Sequence, residues 1–92
     1  MIFVKSEREI DLMREPCAIV RDTLAYVGSK IRPGVTTKEL DEYAEDYIRS
    51  RGAIPSELGY CGYPASICAS VNEVVVHGIP GDRVIRDGDI VS

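Results

Sequence analysis

Ninety-two residues are enough for one small domain, and a chain of this length buries roughly 60–70 % of the surface its unfolded form exposes. With 45 % hydrophobic and 28 % charged residues the make-up is that of an ordinary globular protein, and no apolar run approaches the ~20 residues a membrane helix needs. A formal net charge of -4, with acids and bases interspersed, leaves no basic patch and argues against nucleic acid or an anionic membrane as the main partner.

The first residues show neither a basic segment nor an apolar core before a small-residue cleavage site, so the cytoplasm is the expected compartment. Three cysteines, Cys17, Cys61 and Cys68, cannot all pair within one chain, and reduced thiols are expected. After the apolar opening Ile2–Val4, Ser6 and Glu9 form a helix-start signal. A long helix follows, whose positions Ile10, Met13, Cys17, Val20, Leu24, Val27 and Ile31 lie on one stripe and predict packing against a sheet. A coiled coil is disfavoured by Pro16, where a kink or a late helix start is expected.

Arg32-Pro33-Gly34 stops this helix, and Thr36 with Glu39 is a capping box for a second helix from about Thr37 to Arg51. Leu40, Tyr43, Ala44, Tyr47 and Ile48 form its predicted buried face, and Gly52 suits a left-handed cap. The short connection implies nearly antiparallel helices covering one face of the strands that follow. Asp41, Glu42, Glu45 and Asp46 are read as a solvated acidic face.

The stretch Leu58–Pro80 concentrates chemistry: two of five tyrosines, two of three cysteines and the only histidine. Gly59, Gly62 and Pro64 predict a loop able to approach a ligand, with Tyr60 and Tyr63 as amphipathic walls. Residues 67–71 and 74–76 read as short strands broken at Asn72 and Glu73, which puts His77 at a strand end. Beyond the Ile79–Asp82 turn, Val84 and Ile85 form an extended piece. Asp87-Gly88 is a further turn, and Ile90–Ser92 begins a strand.

The runs GYPASICASVNEVVVHGIP and GDIVS, with Lys5-Ser6-x-x-Glu9, Pro33–Thr37 and Gly52–Pro55, resemble the N-terminal part of a type I methionine aminopeptidase. The resemblance covers almost the whole chain. It implies an α/β (α+β) pita-bread fold, two helices on an antiparallel sheet, with residues 1–92 forming the N-terminal portion of one catalytic domain. It further implies that Tyr60, Tyr63 and Cys68 line a pocket for the substrate's methionine side chain, to which aromatic faces and a thiol are suited. His77 resembles the family histidine that contacts substrate near the scissile bond and stabilises the transition state. Asn72 and Val74 match positions that hold a monovalent cation through the backbone. Taken alone, the tyrosines and Cys68 read better as packing residues, His77 equally well as a strand-end residue bonded to a carbonyl, and Asn72 as part of a turn or bulge. Cys61 departs from a histidine common in the family, Glu57 from a small or thiol residue, and Pro16 from small residues.

By resemblance the complete enzyme carries two divalent metal ions (Co, Mn, Fe or Zn) on two aspartates, one histidine and two glutamates, the first falling just beyond Ser92. None is expected on this chain alone, and a zinc site from Cys61, Cys68 and His77 is disfavoured by its spacing. The expected function is metal-dependent removal of the initiator methionine from nascent proteins, with the 92-residue chain truncated before the metal ligands and inactive by itself. The alternative is a non-catalytic module that binds peptide N-termini or a protein partner. Expected partners are N-terminal methionine peptides and the ribosome, with neither nucleic acid nor membrane, and self-association through a sheet edge at Ile90–Ser92.

Overall fold

The computed structural model describes residues 1–92. Helix α1 runs from Glu7 to Lys30, its first turn capped by the Ser6 hydroxyl, which accepts from the Glu9 amide at 3.2 Å. Pro16 lies inside this helix and does not delay its start. A proline there removes the amide that would bond to the Leu12 carbonyl, and the helix runs on without that bond.

Helix α2 spans Thr37–Ser50 and begins with the full capping box: the Glu39 amide donates to the Thr36 hydroxyl and the Thr36 amide to the Glu39 carboxylate. It ends at Gly52, which takes a left-handed φ of 76° as expected of the cap. The two helices are antiparallel. Asp22 pairs with Arg51, Tyr26 stacks on Tyr47 at 4.8 Å, and Lys30 lies over Tyr43, so partners descend α2 as they ascend α1.

The predicted stripe of α1 is largely uncovered. Ile19 and Thr23 are its buried residues, and with Tyr26 they turn a face offset from the apolar stripe toward α2. Val20 and Leu24 remain 58 % and 70 % exposed. Periodicity marks the side a helix can bury, but burial needs a facing layer, and the segments after α2 do not supply one along this side.

No antiparallel sheet forms, which corrects that expectation. Two isolated antiparallel bridges, Thr36–Val84 and Val71–Val91, stand in its place. Each has flanking rungs: Gly34 donates to Ile85 and Ile85 to Val35, while Ser70 and Ser92 exchange both backbone bonds. Residues 74–76 are not a strand, because the chain turns at Asn72 and Glu73 and the Val74 amide bonds back to Val71. Val75 and Val76 are exposed, with no neighbouring chain to form a ladder. Val35, Leu40, Val71 and Ile85 form a small core where these arms meet the start of α2.

Candidate functional site

Two arms leave the core region and converge, one carrying Tyr60–Cys68 and the other His77–Ile79. The first opens with a tight turn, in which Gly59 is left-handed and Cys61 is also at positive φ, 48°. The Gly59 amide reaches the Tyr63 carbonyl at 2.8 Å and closes the turn. This presents Tyr60 and Cys61 to solvent and folds Tyr63 inward, half-buried.

Tyr63 ties the arms together. Its hydroxyl donates to the Ile67 carbonyl at 3.0 Å and lies 3.4 Å from the Gly78 carbonyl. Its pKa is pushed up to about 12, first by burial and then by the neighbouring Cys68 and the carboxylates of Asp41 and Glu57. The hydroxyl therefore keeps its proton, and its role as donor, throughout the neutral range.

Gly78 sets how closely the arms approach. The Ala69 amide donates to the Gly78 carbonyl at 2.8 Å, and the Gly78 amide donates to the Ser70 hydroxyl at 3.0 Å. A Cβ on Gly78 would stand 2.3 Å from the Ala69 carbonyl oxygen, so only glycine fits. His77 precedes this contact at φ 56°, in the left-handed region and not at the end of a strand. That conformation costs a non-glycine residue roughly 1–2 kcal/mol and turns the exposed imidazole away from an extended path.

Tyr60, Tyr63, Cys68 and His77, singled out from the sequence, together line one open cleft of about 440 Å³, with Glu57 and Cys61 at its side. A neighbouring hollow of about 410 Å³ shares Glu57, Cys68 and His77 and extends toward Val20 and Leu24 of α1. Aromatic faces, a thiol and an imidazole around such a space can hold an apolar or thioether side chain beside a hydrogen-bonding group.

Asn72 and Val74 lie apart from this cleft. Asn72 is left-handed at φ 52°, and its side chain donates to Asp89 and accepts from the Ile90 amide, so the residue stabilises a turn. Cys61, Cys68 and His77 share the cleft, yet no three His, Cys, Asp or Glu side chains gather anywhere to hold a metal ion. The residues present therefore do not fit a dinuclear metal centre. All three cysteines are free thiols.

Sequence reasoning misplaced one residue. Asp41, read as part of a solvated acidic face, is half-buried, and its Oδ1 accepts from the amides of Ser66 and Ile67 at 2.8 and 2.9 Å. The signal was its spacing: with Thr37, Leu40 and Ala44 it falls on the inner face of α2.

Residues 11–92 match the model of metallopeptidase family M24. Methionine aminopeptidase 1 of Bacillus subtilis is 54 % identical over all of this chain and 37 % of its own length, and the methionine aminopeptidase of Clostridium perfringens is 53 % identical with the same coverage. Among solved structures, the Thermotoga maritima methionine aminopeptidase superposes with a TM-score of 0.93 at 36 % identity, over 99 % of this chain and 37 % of that one. The Rickettsia prowazekii enzyme gives 0.87 at 40 % identity with the same coverage. The chain thus spans somewhat over a third of the length of these relatives. The pita-bread class expected from the sequence agrees with this likeness, though the sheet within it is reduced to two bridges.

Proposed function

We propose, from the premise that the chain belongs to metallopeptidase family M24, that it is the substrate-recognition part of an enzyme that removes the initiator methionine from nascent proteins. One observation carries this reading: Tyr60, Tyr63, Cys68 and His77 converge on a single cleft. The tyrosine faces and the Cys68 thiol hold the methionine side chain, since both make favourable contacts with a thioether while excluding water. His77, at the boundary with the neighbouring hollow, donates a hydrogen bond to substrate near the scissile bond, where it can stabilise developing negative charge. The backbone carbonyls of Asn72 and Val74 accept no backbone hydrogen bond and stay available to a monovalent cation. Divalent metal would be held by residues other than these. The substrate class, nascent chains, makes the cytoplasm the working compartment and the ribosome a partner.

A second reading is binding of peptide N-termini without cleavage, for which the cleft of Tyr60, Tyr63, Cys68 and His77 would suffice. One experiment separates the two. The purified chain is titrated with Met-Ala-Ser and with Ala-Ala-Ser by NMR, and methionine release is followed with and without added manganese or cobalt. Preferential binding of Met-Ala-Ser, with shifts at Tyr60, Tyr63, Cys68 and His77, supports the pocket. Equal binding of both peptides, or shifts elsewhere, overturns it. Metal-dependent release that copurifies with the chain favours the enzyme over the binder.

A further inference from the structure

Both arms of the cleft are gripped by one helix. At its first turn, the Thr37 hydroxyl accepts from the Gly81 amide at 2.9 Å and donates to the Gly81 carbonyl at 3.2 Å, while the Lys38 amide also donates to that carbonyl. This fixes the arm that carries His77. One turn later, Asp41 Oδ1 takes the Ser66 and Ile67 amides and fixes the arm that carries Tyr63 and Cys68. Asp41 is the only α2 side chain that hydrogen-bonds to the first arm. A carboxylate suits the place, because charge-assisted bonds to two adjacent amides hold a turn more firmly than neutral ones.

The connection to the cleft is short. The Ile67 amide bonds to Asp41 and the Ile67 carbonyl accepts from the Tyr63 hydroxyl, so one peptide segment is held from both sides. Cys68 is the next residue, and Ala69 joins the second arm through Gly78. We infer that Asp41 is a positioning residue for the cleft: it sets the wall formed by Tyr63 and Cys68 at its distance from His77. The inference rests on the methionine-pocket reading for its consequence in binding, but not for the contact itself.

The test uses the 92-residue chain and three substitutions, Asp41→Ala, Asp41→Asn and Asp46→Gly. Two quantities are read: hydrogen-exchange protection of the Ser66 and Ile67 amides, and affinity for Met-Ala-Ser. Asp41→Ala is expected to lose the protection, shift the Tyr63 and Cys68 resonances and weaken the peptide about tenfold, the equivalent of one charged hydrogen bond. Asp41→Asn keeps a carbonyl acceptor, so it should retain the protection and bind within about threefold of the parent. Asp46→Gly lowers the stability of the same helix at an exposed position away from Asp41, and should leave peptide affinity unchanged. Unchanged protection and affinity in Asp41→Ala would overturn the inference, as would an equal loss of affinity in Asp46→Gly. If the parent chain shows no preference for methionine, the pocket reading falls, and the exchange and resonance data still decide whether Asp41 holds the arm.

Discussion

Gly78 and Tyr63 bound the cleft by opposite means, one through the lack of a side chain and the other through a side chain that reaches both arms. A methyl group at Gly78 would meet the Ala69 carbonyl, which is backbone and cannot swing aside. Gly78→Ala is therefore expected to cost about 2–4 kcal/mol in denaturant unfolding and to part His77 from Cys68, with loss of methionine-peptide binding. Parent-like stability would mean that the two arms are not in contact. Tyr63 gives a prediction in pH. Its pKa is raised from 10.0 to about 12 in the folded chain, so folding favours the protonated phenol. That contribution is complete below pH 10 and is lost as pH rises through about 12, where the folded form must also ionise. Titration of tyrosinate absorbance should show one late-ionising tyrosine that Tyr63→Phe removes. Residue types marked the turn-rich run that holds Tyr60, Tyr63, Cys68 and His77, but assigning these four to one site took the family resemblance, since alone the tyrosines and Cys68 read as packing residues. The left-handed backbone at His77 was not legible, since glycine and asparagine are the usual signs of that conformation and a histidine signals nothing.

Local chemistry fixes the helices, so their ends were readable: Ser6, the Thr36/Glu39 box and Gly52 all act where their residue types suggest. The strands were not readable, because a strand exists only through a partner, and residues 74–76 have none. Asp41 lies between these cases. Its position on the inner face of α2 was present in the spacing, but its partners are 25 and 26 residues away and leave no local trace. Pro16 shows a local rule overridden by its surroundings: α1 passes through it without ending. The lost hydrogen bond and the crowding of the preceding turn still carry a cost. Pro16→Ala is expected to stabilise the chain by roughly 1–3 kcal/mol in urea unfolding, with unchanged affinity for Met-Ala-Ser. A destabilising result would show that the proline ring packs against a neighbour worth more than the helix bond.

At the scale of the whole molecule, only 13 of 92 residues are buried, while Ile10, Met13, Val20 and Leu24 leave an apolar stripe of α1 open. The helical period made that stripe look like a core face, and the physics behind the pattern is sound: it records where apolar side chains gather, not whether another layer meets them. This distinction can be measured. In the 92-residue chain, Val20→Glu with Leu24→Glu exchanges exposed apolar groups for good helix formers. The change should shift unfolding free energy by no more than about 0.5 kcal/mol for each site and reduce binding of a hydrophobic dye. In a longer M24 chain whose remaining residues cover the stripe, the same pair would bury two charges without partners and cost several kcal/mol. The difference between the two chains reports how much of α1 is packed only when more of the protein is present. A large loss already in the 92-residue chain would mean that this face is covered in solution, through self-association or a rearranged helix pair, and sedimentation of the same two samples would tell which.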